Sequence, residues 1–245
     1  MDVIERLDRV VDHFAKSTRL FNEPMTVERA KMFVKQHRLN SRERNSHLKI
    51  AVATNCPDWD TRIKIIAGCS QEVIADDEFG GGRPHWSILE DLGTYIGMTR
   101  EEITSAEPLP TTNLCWLAWE TLCKNRHWLE GMMTNTAAER VNIPGYGTGL
   151  FREKGWFGME RERWKPLFGL SDEQVEFFDL HGPADLEHSN MGWQTVARYA
   201  EEYKMVDAVV ETCRVNLFVW QTYLDGIAAA ADALERNEPV AEAFA

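Results

Sequence analysis

Val206-Asp207-Ala208-Val209-Val210-Glu211-Thr212-Cys213-Arg214-Val215-Asn216-Leu217-Phe218-Val219-Trp220-Gln221-Thr222-Tyr223-Leu224-Asp225-Gly226-Ile227 decides the fold class. Val206, Val209, Val210, Cys213, Leu217, Trp220, Leu224 and Ile227 recur at helical spacings of three and four. One continuous apolar stripe of this kind is the buried face of a long helix in a bundle. Outward from it, the same period returns along the chain, and no segment alternates in the manner of a strand. The pattern predicts helices near 2–17, 26–38, 42–55, 58–78, 84–96, 111–142, 156–167, 172–190, 192–203 and 205–235. Thr99 with Glu102, and Ser171 with Gln174, have the spacing of capping boxes. Pro84 and Pro110 stand where a helix can begin, because a first-turn proline loses no hydrogen bond. The glycines from Gly145 to Gly155 read as a loop between two halves of one bundle. The expectation is an all-α protein, a single helical domain over residues 1–245.

Composition limits what such a bundle can do. The 245 residues are 44% hydrophobic and 27% charged, enough for a substantial core. A net charge of −12 excludes a nucleic-acid surface as the expected partner, since phosphate binding needs a clustered positive field. No apolar run approaches the roughly 20 residues of a membrane helix, and the start has no signal-peptide pattern. The five cysteines, Cys56, Cys69, Cys115, Cys123 and Cys213, form no Cys-x-x-Cys pair. Reduced thiols in a cytoplasmic protein are the expectation.

The chemistry concentrates in Phe177-Phe178-Asp179-Leu180-His181-Gly182-Pro183-Ala184-Asp185-Leu186-Glu187-His188. His181, Asp185 and His188 stand at i, i+4 and i+7, within roughly 60° of one another around a helix. Two imidazoles and a carboxylate on one stripe form a ligand set suited to Fe, Mn or Zn. A polar helix face with hydrogen-bonded histidines would leave the same pattern. Two further segments bear on the choice. Asp77-Glu78-Phe79-Gly80-Gly81-Gly82-Arg83-Pro84-His85 sets a carboxylate and an imidazole seven apart, with the glycines and Pro84 interrupting the helix between them. Asn135-Thr136-Ala137-Ala138-Glu139 sets one acid among small residues, either a ligand, half of a buried pair or an ordinary surface group.

With these three segments in order, the chain resembles the haem-oxygenase-like diiron oxidases, relatives of the quinone-synthase and thiaminase-type folds, from about residue 30 to 225. The resemblance implies a haem-oxygenase-like bundle and six metal ligands: Glu78, His85, Glu139, His181, Asp185 and His188. It implies two irons, with an iron–manganese pair left open, O₂ as co-substrate and a peroxo-diiron(III) species. Members of the family desaturate or cleave amino acids, decarboxylate fatty acids or oxygenate nitrogen. A small, amino-acid-like substrate is the expectation, with an external electron donor and a homodimer both compatible with it. Gly182-Pro183 departs from a regular ligand helix, because proline removes a backbone hydrogen bond there. Family members have a ligand helix that orders on metal binding, which implies that iron folds this segment and holds His181. The six-ligand expectation requires Glu78 and Glu139 to face the 181–188 segment.

Rival readings make different demands. A ferritin-like site would need paired Glu-x-x-His motifs, and the sequence has none. Haem binding would rest on His13 and leaves the carboxylates unexplained. A cofactorless oxidase of the quinone-synthase type would not need the ligands together. A non-catalytic interaction bundle predicts no stoichiometric metal. Arg140 and Arg152 are candidates to hold a substrate carboxylate, although surface ion pairing is the favoured reading of each.

Overall fold

A computed structural model describes residues 2–244, except for the side chains at 182–185, 187 and 188. Among the described residues there is no strand, only an isolated bridge between Asp76 and Arg83. The helices are α1 (Val3–Ser17), α2 (Arg19–Asn22), α3 (Val27–Glu43), α4 (Lys49–Asn55), α5 (Trp59–Val73), α6 (His85–Tyr95) and α7 (Arg100–Thr104). They continue with α8 (Pro110–Asn125), α9 (Trp128–Arg140), α10 (Gly149–Phe168), α11 (Glu176–Glu202) and α12 (Val206–Glu235). No described helix is long and apolar enough to cross a membrane.

The stripe that decides the fold class is buried as its period requires. From Val209 to Ile227 every member is covered, and only Val206, at the first turn, is half-exposed. Helix α12 packs against α1, α3, α8 and α9, and α9 in turn packs against α11. Trp119 of α8 stacks on Trp220 with ring centroids 5.1 Å apart, and its indole N–H donates to Asn216 Oδ1 at 2.6 Å. A fully buried indole needs such a partner, and Asn216 occupies the stripe to supply it.

Several boundaries differ from the periodicity, each for a local reason. The expected helix over 111–142 breaks at Arg126, where His127 and Glu130 form a capping box that starts α9 afresh. The expected pair 26–38 and 42–55 is one rod, because a π-turn over Arg44–Leu48 joins α3 to α4 without a break. The expected pair 172–190 and 192–203 is likewise the single helix α11. Thr99 and Glu102 do form a reciprocal capping box, and Pro110 opens α8 at its first turn. The glycine-rich loop is shorter than expected, since Gly149 already begins α10. That helix is kinked at Gly155, whose φ is +73°. A Cβ there would stand 2.0 Å from the Asn142 carbonyl oxygen, so no other residue fits.

All five cysteines are buried and free. Burial pushes Cys123 up to about 11, so it is not an ionised nucleophile at neutral pH. Glu160 of α10 is a fully buried carboxyl group whose pKa is strongly raised. Burial lifts it from 4.5 to about 7, against hydrogen bonds from Arg163 and the Trp164 indole, both at 3.1 Å. The folded chain therefore holds a proton on Glu160 that the unfolded chain releases between pH 4.5 and 7. Folding stability should fall by roughly 3 kcal/mol as pH rises through that window and stay level above it. Glu160→Gln should remove this slope. Urea unfolding at pH 5 and pH 8 tests it, and equal slopes for variant and parent would refute the assignment.

Candidate metal centre

Helix α5 carries Thr61, Ile65, Cys69 and Glu72 at spacings of four, four and three, so all four lie on one face. The first three are buried, and the Glu72 side chain at the last turn is only 15% exposed. The helix ends at Val73, and the chain turns tightly back on itself. Asp76 Oδ1 accepts the backbone N–H groups of Glu78 and Phe79, each at 3.0 Å, and the Asp76 carbonyl accepts from Gly82 at 2.7 Å. Gly80 is required by this turn, because a Cβ would come within 2.6 Å of the Arg83 carbonyl oxygen. Pro84 then caps α6, and His85 is its first residue.

The turn delivers His85 to the end of α5. Its Nε2–H donates to Asp76 Oδ2 at 2.8 Å, which leaves Nδ1 facing Glu72 Oε1 at 3.3 Å. That Nδ1 is buried and has no partner with hydrogen-bond geometry. His181 comes from α11, and its Nδ1–H donates to the Phe177 carbonyl at 2.6 Å. Its Nε2 therefore keeps a free lone pair. The two imidazoles meet edge to face with centroids 4.9 Å apart. One donor atom from each of Glu72, His85 and His181 lies within 4.8 Å of the other two.

Without a metal, electrostatics divides the charge unevenly. Burial disfavours the His85 imidazolium, but the carboxylates of Glu72 and Asp76 outweigh it and raise the group to about 9. Burial and the neighbouring His85 push His181 down to about 4, so it is neutral. Burial would raise Glu72, yet His85 and Lys49 hold it well below the usual carboxylate range. A neutral imidazole with a fixed tautomer, a second imidazole oriented by a carboxylate, and a buried glutamate form a nitrogen and oxygen donor set for a transition metal. The unpartnered Nδ1 of His85 is the observation that a bound ion would explain.

The predicted residues distribute as follows. His85 and His181 are brought together. Glu139 is buried and lines the same internal cavity as Glu72 and His181. Its Oε1 accepts from Arg44 at 2.7 Å and from Lys49 at 2.9 Å, so it is neither a surface group nor an acid lacking charged neighbours. Arg44 and Lys49 are five apart, which on an α-helix would point them about 140° away from each other. The i→i+5 closure of the π-turn, with Lys49 N–H donating to the Arg44 carbonyl, puts both on the side of Glu139.

Glu78 is not brought to the cluster. It is exposed on the turn, because α5 has already ended and Asp76 has bent the backbone away. Asp185 and His188 lie within the span of α11, but their side chains are outside the described residues. Arg140 is engaged by Tyr146 and Asn190, and Arg152 approaches Asp12 at 3.9 Å, so each has the ion-pair or polar role that needs no substrate. Glu72 and Asp76 were not singled out by spacing. The signal for Glu72 is its register with Thr61, Ile65 and Cys69 on the buried face of α5.

Asp76 has a testable duty. Asp76→Asn retains the Oδ1 that accepts the turn's N–H groups but gives His85 a neutral amide in place of a carboxylate. Iron affinity should drop roughly 10- to 100-fold with the fold intact. Competition against a chromophoric chelator measures it, and an unchanged affinity would remove Asp76 from the site.

A solved structure from Shewanella denitrificans OS217, described as a domain of unknown function with a heme oxygenase-like fold, matches at a TM-score of 0.73. The match has 14% identity and covers 94% of this chain and 92% of that one, so the fold is haem-oxygenase-like. A 4-aminobenzoate synthase of Nitrosomonas europaea is 24% identical over 161 residues. That alignment takes in 64% of this chain and 61% of the relative, so the chain spans under two thirds of its length. Residues 32–221 match a family model described as iron-containing redox enzyme, and this span holds Glu72, Asp76, His85, Glu139 and His181 together. With a nitrogen and oxygen donor set inside a haem-oxygenase-like bundle, and a family model matched over residues 32–221, the chain belongs to the family of iron-containing redox enzymes.

Proposed function

We propose that the chain is a two-iron oxidase or oxygenase that uses O₂ on a small, amino-acid-like substrate. The observation that carries this reading is the convergence of Glu72, His85 and His181 from three helices onto one buried point. In this reading these three hold one iron. Glu139, with Asp185 and His188 from α11, holds the second, and Glu72 takes the role expected of Glu78. Iron held by these residues would supply the electrons for O₂ activation.

The chain's own residues set the surroundings. Asp76 fixes the ring of His85, and the Phe177 carbonyl fixes that of His181. Phe157 and Phe177 pack on His181 with centroids 4.8 and 4.5 Å away, which keeps water off that side. Arg44 and Lys49 hold the Glu139 carboxylate in place. The relative's name supports a substrate or product bearing both a carboxylate and an amine, within the range of desaturation, C–C cleavage or N-oxygenation.

Metal analysis of protein produced with iron should give about two irons per chain. Mixing the anaerobic ferrous protein with O₂ should give a transient visible absorption that a metal-free sample lacks. Protein that takes up no iron, or ferrous protein inert to O₂, would overturn the reading.

A further inference from the structure

Next to Glu139, on the side toward α5, a cleft of about 60 Å³ opens between α4, α5, α9 and α11. Its lining combines features that packing does not explain. Gly68 lies in the interior of α5, where glycine costs about 1 kcal/mol relative to alanine. A Cβ at Gly68 would meet nothing within 4 Å, so neither a close approach nor a turn calls for glycine there. The missing side chain instead keeps the cleft open. Gly192 on the facing helix is the contrast, since a Cβ there would strike Thr136 at 2.6 Å.

Two cations line this cleft in a chain of net charge −12. Lys64 is exposed, one turn before Gly68 on the same face, and forms no ion pair among the described residues. Lys49 is buried, with 5% of its side chain exposed. One of its three N–H donors goes to Glu139, an oxygen that Arg44 already serves. The acceptor side is supplied by Asn135, whose Oδ1 is buried without a partner. Ile65 and Met132 make the wall apolar.

We propose that this cleft is the entry and seat of a small carboxylate whose body also carries an N–H donor. Lys64 attracts it at the mouth, Lys49 holds the carboxylate, and Asn135 Oδ1 accepts from the N–H group. The proposal deepens the preceding reading, because it places the substrate beside Glu139.

Calorimetry on the full-length chain tests it, with anaerobic iron-loaded and metal-free samples both titrated. The probes are L-norvaline, which has both groups, L-norvalinamide, which lacks the carboxylate, and pentanoate, which lacks the amine. The parent should bind L-norvaline at least tenfold more tightly than either analogue. Lys49→Met should erase the preference over the amide. Gly68→Met, which fills the cleft without touching the metal donors, should abolish binding while melting no lower than the parent. Failure of the parent to bind L-norvaline, or to prefer it over the amide, would overturn the proposal. So would undiminished binding by Gly68→Met, which keeps the test decisive if Lys49→Met does not fold. A chain that takes up no iron in the metal analysis yet shows the full binding pattern would sink the two-iron reading and leave this one standing.

Discussion

His181→Ala should purify as a folded protein with fewer than about half of one iron per chain, against about two in the parent. The imidazole is one of three donors on a single point, and its Nδ1–H bond to Phe177 leaves Nε2 as the only nitrogen able to bind an ion. Alanine removes that donor and leaves only two, Glu72 and His85, at the point where three converge. Loss of a buried ring packed against Phe157 and Phe177 also costs stability, roughly 2–3 kcal/mol. Circular dichroism will separate the two effects. Glu72→Ala should lose iron in the same way, whereas Glu78→Ala, altering an exposed turn residue, should retain it. Full iron content in His181→Ala would remove that residue from the centre. Iron lost from Glu78→Ala and kept in Glu72→Ala would reverse the choice of carboxylate.

Glu139→Gln carries the largest expected effect on stability. Arg44 and Lys49 are both buried and both point at one oxygen of this carboxylate. Neutralising it leaves two cations in a water-poor interior, a situation that costs about 3–5 kcal/mol when one partner of a buried pair is removed. For a chain of this length the metal-free variant should melt roughly 10 °C below the parent. Adding Lys49→Met should recover part of the loss, because one stranded charge disappears with it. Thermal unfolding of the four chains in this cycle measures the coupling. A Glu139→Gln variant as stable as the parent would mean that the two cations find other counter-charges.

Features set by one physical period along a long segment are legible in the sequence. The apolar stripe of α12, the Thr99 capping box and the first-turn Pro110 are local features, and each stands where expected. His181 was legible for the same reason, since its helix position follows from its own neighbours. Contacts between residues that are not local are not legible in it. The family resemblance implies Glu78 beside His85, although the glycines and Pro84 interrupt any helix that would bring the two together. Here Asp76 gathers the backbone of Glu78 and Phe79 instead, and the carboxylates that reach His85 are those of Asp76 and Glu72, nine and thirteen positions upstream. The separation of α8 from α9 rested on a histidine cap, which is a weaker cue than the serine or threonine the capping rule favours. The partners of Glu139 were hidden by spacing, because no α-helical period pairs residues five apart.

That last spacing makes the rod from Val27 to Asn55 sensitive to length in a way its composition is not. The π-turn holds one residue more than an ordinary turn. Deleting a single residue between Arg44 and Leu48 would give a more regular helix and a longer uninterrupted run of standard hydrogen bonds. It would also twist one end of the rod about 100° against the other. Arg44 and Lys49 could then no longer share a partner, and one of them would be swung toward apolar neighbours. A shortening that improves the local backbone would thus disable the interior, so insertions and deletions there should be tolerated far less than substitutions of similar size.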